Sequence, residues 1–139
     1  MFSSLLLAVD GSAPAHEACD VAIRVAHDAN ARITCVAALD AAPPVESAER
    51  RVDAQAIVDV VVEAAARVGV RCKGRVIEGR PVPAILDAAR DSSAELIVIG
   101  THGGAHAGRA ALGSVVESVL READVPVLVV PVRRRTHPV

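Results

Sequence analysis

The chain of 139 residues carries 15 Lys and Arg against 17 Asp and Glu, a formal net charge of −2 at pH 7. Hydrophobic residues make up 52% of it, and the single Phe is its one aromatic residue apart from histidine. This composition excludes a disordered chain. It also argues against nucleic-acid binding, because the chain has no long basic stripe and no aromatic rings on which bases could stack.

The cysteines and the apolar runs bear on the cellular compartment. Cys19, Cys35 and Cys72 lie far apart and form no CxxC pair, so the pattern predicts neither a zinc site nor a redox pair. Single thiols in apolar contexts are typical of small buried residues in a reducing compartment. No secretion signal is visible, and no apolar run approaches the roughly 18 residues that span a bilayer. We therefore expect a cytoplasmic protein without membrane contact.

The first third of the chain predicts two strands around a helix. Residues 4–9 (SLLLAV) form an apolar run that ends at an Asp-Gly-Ser turn, as a buried strand does. Pro14 suits the first turn of the next helix, in which residues 15–29 repeat small apolar side chains at helical spacing. Residues 32–39 (RITCVAAL) predict the second strand, and two prolines at 43 and 44 end the loop behind it.

The middle of the chain predicts a long helix, a strand and a short helix. The helix covers about residues 47–68, and Gly69 is its C-terminal stop. Its predicted inner face comprises Ile57, Val60, Val61, Ala64 and Val68. Residues 70–77 alternate polar and apolar side chains, as a strand near a sheet edge does. Pro83 is predicted to open the short helix that follows.

The last third completes an alternating pattern of strands and helices. Residues 95–99 (ELIVI) and 125–130 (VPVLVV) predict the fourth and fifth strands, with a helix over residues 114–122 between them. The pattern predicts an α/β fold: one domain over residues 1–139, with a single doubly wound five-stranded parallel sheet and helices on both faces. Ligands of such sheets bind beyond the carboxyl ends of the strands. We therefore expect the site in the loops after strands one, two and four.

A glycine-rich segment after the fourth strand gives the strongest functional signal. Gly100 and Gly103 are followed, after nine residues, by Gly113 and Ser114 at the start of the last helix. Glycines let backbone N–H groups approach phosphate oxygens, and a helix N-terminus adds free donors and a partial positive charge. Arg109 is the one fixed cation in this segment and could meet a terminal phosphate.

Structural interpretations of the same residues stay open at this point. Ser114 and Glu117 have the spacing of a capping box, which would use the serine hydroxyl on the helix itself. Asp10 could accept hydrogen bonds from ribose hydroxyls or hold a divalent ion, but an Asp-Gly pair also makes an ordinary turn. The small residues around Ala38 leave room for a flat base, whose edge the Ala38 backbone could bind.

Other signatures of nucleotide and metal sites are missing. The sequence contains no GxxxxGK[ST] motif and no GxGxxG after the first strand, which argues against a P-loop and a dinucleotide-binding domain. His102 and His106 have a spacing that metal ligands use, but without a third ligand they are interpreted as solvated loop residues. No Ser/His/Asp or Cys/His arrangement predicts a nucleophile with its base.

These motifs together resemble the universal stress protein family over nearly the whole chain, from LLLAVDGS to VPVLVVPV. The family's nucleotide motif, Gly-x2-Gly-x9-Gly-[Ser/Thr], is matched by Gly100, Gly103, Gly113 and Ser114 with both gaps intact. Asp10 matches the family's ribose- or metal-side acid, and Ala38 matches the position whose backbone meets adenine. Gly79 also resembles the family pattern.

The resemblance implies the Rossmann-like strand order 3-2-1-4-5 and an ATP-binding stress-response module, with Mg²⁺ or Mn²⁺ carried on the nucleotide and indirectly held by Asp10. The nucleotide-binding residues it implies are Ala8, Asp10, Ala38, Gly100, Thr101, Gly103, Arg109, Gly113, Ser114 and Val115. A homodimer through residues 125–130 is also implied. Two other functions remain: a slow ATPase or phosphotransfer enzyme, for which no general base is evident, and a ligand-free interaction scaffold.

Overall fold

A computed structural model of the protein describes residues 2–40, 43–101 and 112–132. The strands are β1 (Ser4–Ala8), β2 (Arg32–Leu39), β3 (Cys72–Glu78), β4 (Leu96–Gly100) and β5 (Val127–Val130). The helices are α1 (Ala13–Ala29), α2 (Pro44–Arg67), α3 (Pro81–Asp91) and α4 (Ser114–Glu122). All five strands are parallel and form one sheet in the order β3-β2-β1-β4-β5. The expected fold class and strand order are confirmed.

Helices cover both faces of the sheet, because each strand sends alternate side chains to opposite faces. α1 and α2 cover the face that carries Leu5, Leu7 and Val98, whereas α3 and α4 cover the face that carries Leu6 and Ile97. All five of these side chains are fully buried. The central strands are therefore continuous apolar runs, as strands buried on both faces are. No helix in the described part of the chain is long and apolar enough to cross a membrane.

α2 differs most from its sequence-based prediction. It begins at Pro44 instead of residue 47, because a proline at the first helical position lacks only an N–H that the helix would leave unpaired. Its buried residues are Ala54, Val58, Val61 and Ala65. The prediction was right for Val61 but wrong for Val60 and Val68, which are exposed. Valines lie on several faces of this helix, so its periodicity could not select the inner one.

The other element bounds are close to prediction. The bounds of β2 and α4 are confirmed, while β3 and β4 lie one or two residues further along the chain. β1 ends at Ala8, one residue early, and β5 begins at Val127 instead of residue 125. α1 and α3 begin two residues early because Pro14 and Pro81 both fit inside a first helical turn.

The topology brings the carboxyl ends of β1, β2 and β4 to one edge of the sheet. The chain passes from β1 to β2 on one side and later returns to β4 on the other side of β1. The strand order therefore reverses between β1 and β4, and the loops behind them diverge onto opposite faces. This divergence opens a crevice at the end of the strands.

Candidate functional site

A cleft with a cavity volume of about 140 Å³ lies at the carboxyl ends of β1, β2 and β4. Strand ends and the first turns of α1, α3 and α4 form its walls. Its lining residues are Ala8, Val9, Asp10, Ser12, Ala15, Val36, Ala38, Pro81, Ile85, Ile99, Gly100, Val115 and Val116. An engineered cavity of about 150 Å³ binds benzene, so the space inside this open cleft is large enough for a flat aromatic ring.

The cleft is apolar inside and polar at its mouth. The inner side chains of Val36, Ile85 and Ile99 are buried. Asp10 is exposed and is the one charged side chain among the lining residues of the described chain. Such a cleft favours a ligand with one apolar, flat end and one polar end.

Asp10 has one carboxylate oxygen in use and one available. The Ser12 N–H donates to Asp10 Oδ1 at 2.9 Å, which closes an Asx turn around Gly11. Ser12 then caps α1, since its hydroxyl accepts from the Ala15 N–H at 3.4 Å. The turn thus fixes the carboxylate at the mouth of the cleft. Asp10 Oδ2 has no partner in the part of the chain that the structure describes, so it can accept from a ligand hydroxyl.

Ala38 offers its backbone to the cleft because β1 ends before β2 does. The Val36 carbonyl accepts from the Val9 N–H on the β1 side, and the Leu39 carbonyl accepts from the Gly79 N–H on the β3 side. Backbone groups alternate sides along a strand, so the Ala38 N–H and C=O point toward β1. β1 pairs with β2 only as far as Val36. An adjacent donor and acceptor are therefore left at the cleft.

Gly100 ends β4 where the first turn of α1 crosses it. A Cβ placed on Gly100 would lie 2.6 Å from the carbonyl carbon of Pro14 and 2.7 Å from its oxygen. Real Cβ atoms do not approach backbone atoms this closely, so only glycine allows α1 to pack here. Gly100 thus sets the position of one wall of the cleft as well as lining it.

The start of α4 presents unpaired amides beside Gly100. The Gly113 N–H donates to the Thr101 carbonyl at 2.9 Å, and the Thr101 N–H donates to the Val130 carbonyl at 3.2 Å. These bonds fix the helix start against the ends of β4 and β5. The N–H groups of Ser114, Val115 and Val116 have no acceptor within the described residues. Together with the helix dipole they favour an anionic group.

The capping box that the sequence allowed does not form. Gly113 is the N-cap of α4 and Ser114 is its first helical residue, whereas a capping box needs the hydroxyl at the N-cap. No side chain among the described residues caps this helix. The exposed Ser114 hydroxyl has no hydrogen-bond partner among the described residues, so it remains available to a ligand.

Comparison with known proteins identifies the family. The model of the "Universal stress protein family" matches residues 1–131. This chain belongs to the universal stress protein family. It is 39% identical over 138 residues to a universal stress protein of Thermus aquaticus, covering 94% of this chain and 99% of that protein.

Solved universal stress proteins share this fold. MJ0577 of Methanocaldococcus jannaschii matches with a TM-score of 0.83 and 23% identity over 98% of this chain and 99% of its own. A universal stress protein in complex with cAMP matches with a TM-score of 0.75 and 24% identity, over 95% and 99% of the two chains. One from Archaeoglobus fulgidus in complex with dAMP has a TM-score of 0.72 and 20% identity, over 94% and 98%.

The structure brings together most of the residues expected from the family motif. Those that line the cleft are Ala8, Asp10, Ala38, Gly100 and Val115. Thr101, Gly113 and Ser114 lie beside it, at the connection from β4 to α4. Gly103 and Arg109, like His102 and His106, lie outside the described residues. No group of three or more His, Cys, Asp or Glu within the described chain could hold a metal ion.

The sequence did not indicate the contribution of α3 to the cleft. Pro81 and Ile85 line it from the first turns of α3, which follows β3 on the same edge of the sheet. In a parallel sheet the helix after each strand starts at the carboxyl edge, so this placement was available from the predicted topology. Ser12 was likewise missed, although a serine before Pro14 is a common N-cap signal.

Proposed function

We propose that this universal stress protein binds an adenine nucleotide, with ATP as the principal ligand, and acts as a regulatory stress-response module without rapid turnover. The observation that carries the proposal is the convergence of three ligand-binding features on one cleft. These are the free backbone edge of Ala38, the free carboxylate oxygen of Asp10 and the unpaired amides at the start of α4. The intact spacing from Gly100 to Ser114 supports it.

Each part of a nucleotide has a matching group. The enclosed volume suits adenine, whose edge carries a donor beside an acceptor and would pair with the Ala38 backbone. The ribose hydroxyls would donate to Asp10 Oδ2, because a carboxylate at that point repels phosphate but accepts from hydroxyls. The phosphates would meet the α4 amides and the Ser114 hydroxyl, with Gly103 and Arg109 assigned to the same end.

The ligands of related structures are consistent with this proposal. Two universal stress proteins of the same fold were solved in complex with cAMP and with dAMP. Both ligands combine an adenine, a sugar and one phosphate. The shared chemistry supports an adenosine phosphate as the class of ligand.

Magnesium fits this site only as part of the nucleotide complex. Asp10 is the one carboxylate among the described residues that line the cleft, and its Oδ1 already accepts from the Ser12 N–H. Mg²⁺ requires six oxygen ligands and is commonly held by one or two carboxylates, phosphates and waters. Asp10 would therefore contact Mg²⁺ or Mn²⁺ indirectly, while the ion neutralises phosphate charge.

Calorimetric titration with ATP and Mg²⁺ tests the proposal, with AMP and cAMP as parallel ligands. We expect saturable one-to-one binding that Asp10→Ala weakens about tenfold, the effect of losing a charged hydrogen-bond acceptor. Asp28→Ala is the matched control, since Asp28 is an exposed carboxylate of α1 away from the cleft. Absence of binding at millimolar nucleotide, or equal loss in both variants, contradicts the proposal.

Phosphate release separates a regulatory binder from an enzyme. The described residues of the cleft include no histidine or second carboxylate that could act as a general base. We expect phosphate release from ATP to stay at the background rate. Release above background that disappears in Asp10→Ala would assign the slow ATPase function instead.

The partner and the compartment complete the proposal. We propose a homodimer formed through the C-terminal edge strand, for which residues 125–130 were expected. β5 is an edge strand of the sheet and carries the exposed side chain of Leu128, as an unpaired apolar edge suited to a second copy would. Cys19, Cys35 and Cys72 are free, which supports a reducing compartment such as the cytoplasm.

A further inference from the structure

A second concave surface lies at the opposite end of the sheet from the nucleotide cleft. It is a groove with a cavity volume of about 600 Å³ at the amino ends of β2 and β3, bounded by the C-terminal end of α3. Its lining residues are Arg32, Ile33, Thr34, Arg71, Cys72, Lys73, Arg75, Asp91, Ser92 and Ser93. We call it the amino-edge groove.

Three cations of the amino-edge groove lie on one face, because side chains alternate between the two faces along an extended chain. Lys73 and Arg75 lie in β3 and Arg71 directly precedes it, and at these alternate positions the three share one face at a spacing of about 6.6 Å. α2 occupies the other face of β3, where a Cβ on Gly74 would overlap Val58. The cations therefore face the side of the sheet on which α3 lies. α3 packs against β1 and β2, which leaves these cations along its margin.

The positive charge of the groove is only partly neutralised. Asp91 is its single carboxylate among the described residues, and Asp91 Oδ2 lies 3.8 Å from Arg75 Nη1. The guanidinium of Arg32 donates to the Ser92 carbonyl at 3.2 Å, at the end of α3. Arg71 and Lys73 have no acidic partner within the described residues. In a chain with a net charge of −2, four cations thus share one groove with one carboxylate.

We propose that the amino-edge groove binds a small polyanion that carries two or more phosphate groups. The guanidinium of Arg71 offers a planar fork that matches phosphate oxygens, and the ammonium of Lys73 adds a point charge one pleat away. Two cations about 6.6 Å apart on one face match two linked anionic groups, each of which would meet one cation. The bound anion also relieves the repulsion among Arg71, Lys73 and Arg75.

The charge of β3 has a second physical consequence. Basic side chains on an edge strand prevent two copies of that edge from pairing, and natural sheets use them in this way. Edge protection alone requires only that the charges project into solvent. Here they line a groove that α3 closes on one side, and a concave cationic surface concentrates anions more than a flat edge does.

Titration of the full chain with sodium tripolyphosphate, monitored by amide chemical shifts, tests the proposal. We expect saturable shifts at residues 71–75, whereas residues 8–10 and 113–116 report on the nucleotide cleft. Separate amide signals thus report binding at the groove and at the cleft, so binding at the groove can be detected whether or not the cleft binds a nucleotide. Shifts confined to the cleft residues, or no saturation at residues 71–75, would overturn the proposal.

Two matched double variants test which cations bind. Arg71→Gln with Lys73→Gln is expected to weaken tripolyphosphate binding at the groove at least about tenfold. The control, Arg24→Gln with Arg121→Gln, removes the same charge from exposed sites on α1 and α4. We expect it to change the affinity of the groove for tripolyphosphate less than about twofold. Thermal melts of both variants check that the fold is intact. Equal losses in the two would show diffuse electrostatic attraction and overturn the proposal.

The number of phosphates is tested with inorganic orthophosphate as the probe. A groove that requires two linked anionic groups binds orthophosphate at least about tenfold more weakly than tripolyphosphate. Raising the ionic strength is expected to weaken the binding of tripolyphosphate, because salt screens exposed cations. Equal affinity for the two anions at one ionic strength contradicts a polyphosphate ligand.

Discussion

The absence of a side chain at Gly100 allows α1 to pack closely against the end of β4. The first turn of α1 crosses the end of β4 so closely that a Cβ would contact backbone atoms of Pro14. At Gly11, by contrast, an added Cβ would lie 2.9 Å from the end of the Ile57 side chain, which can move aside. Gly11 is instead required for its φ of 81°, in the left-handed region. The two glycines beside the cleft therefore serve different purposes.

Gly100→Ala is expected to destabilise the protein by about 1–3 kcal/mol, the range of overpacking in a closed interior. The backbone of Pro14 cannot move without displacing α1, so nucleotide affinity should fall as well. Urea unfolding and titration with ATP measure both effects. Ser3→Ala, an exposed change at the other end of β1, is the control and should leave ATP affinity unchanged. A Gly100→Ala variant with parental stability and affinity would contradict the close packing.

The three thiols are expected to be unreactive in the folded protein. Burial, with the charge of Asp20 as a smaller cause, raises the pKa of Cys19 from 9.0 to about 11. Burial likewise raises the pKa of Cys72 to about 11 and that of Cys35 further. A rise of two units lowers the thiolate fraction at pH 8 about 100-fold. Labelling with a thiol reagent should be slow at pH 8 and rapid in urea; fast labelling of the native protein would contradict this.

Stability is expected to fall as the pH rises from about 9 to 11. These thiols ionise near pH 9 in the unfolded chain but near 11 or above in the fold, so the unfolded state loses protons first and is favoured. The chain has no Tyr, whose hydroxyl would otherwise ionise in this range. Urea unfolding at several pH values measures the decline. The double variant Cys19→Ala with Cys72→Ala should show a smaller decline in stability over this pH range. A decline equal to that of the parent protein would contradict its assignment to the thiols.

At the scale of elements, helix ends decide where the chain turns. α2 ends in a Schellman motif in which the Gly69 N–H donates to the Ala66 carbonyl and the Val70 N–H to the Ala65 carbonyl. Gly69 has a φ of 77°, which the motif requires. α2 ends at Arg67 and the motif extends to Val70, two residues before Cys72, where β3 begins to pair with β2. This explains why β3 starts at Cys72 and not at residue 70.

Gly69→Ala is expected to cost about 1–2 kcal/mol in the free energy of unfolding, the penalty of a left-handed conformation for a residue with a Cβ. No atom lies within 4 Å of the added Cβ, so the cost is conformational and not steric. Gly69→Asn is the matched comparison and should cost less, since Asn adopts this conformation more readily. Urea unfolding of both variants measures the difference. A smaller loss for Ala than for Asn would contradict this explanation.

At the scale of the whole molecule, the sheet has two edges of opposite character. β3 carries the cations of the amino-edge groove, whereas β5 is apolar and exposes Leu128. A charged edge strand disfavours pairing with the same strand of a second copy, whereas an apolar edge strand favours it. The two ends of the strands also differ, with the cleft proposed to bind a nucleotide at the carboxyl ends and the groove at the amino ends. The three proposed partners, a nucleotide, a polyanion and a second copy, would therefore each meet a separate surface.

Leu128→Lys is expected to convert the proposed dimer to a monomer, because it places a charge in an apolar interface. Sedimentation equilibrium at micromolar concentrations measures the mass of each species. Val45→Lys is the control, since Val45 is 74% exposed on α2 and lies on a different part of the surface. A parent protein that is monomeric, or a Leu128→Lys variant that remains dimeric, would contradict pairing through β5.

The sequence by itself determined the order of the elements and pointed to the edge of the sheet at which the cleft lies. Apolar runs and helical periods are local properties, so they predicted all nine elements and, for β2 and α4, their bounds. Chain order then predicted a parallel sheet, and glycine spacing directed attention to the loop after β4. These inferences required no knowledge of which residues meet across the fold.

Only the tertiary structure decided which groups in those elements are free. α2 carries valines on several faces, and packing against the sheet selected Val58 over Val60. The Gly113 N–H donates to the Thr101 carbonyl, while the Ala38 backbone has no partner among the described residues because β1 ends before β2 does. Whether a backbone group is paired depends on the neighbouring strand or helix, which is distant in sequence. Local patterns therefore located the cleft but could not assign its donors and acceptors.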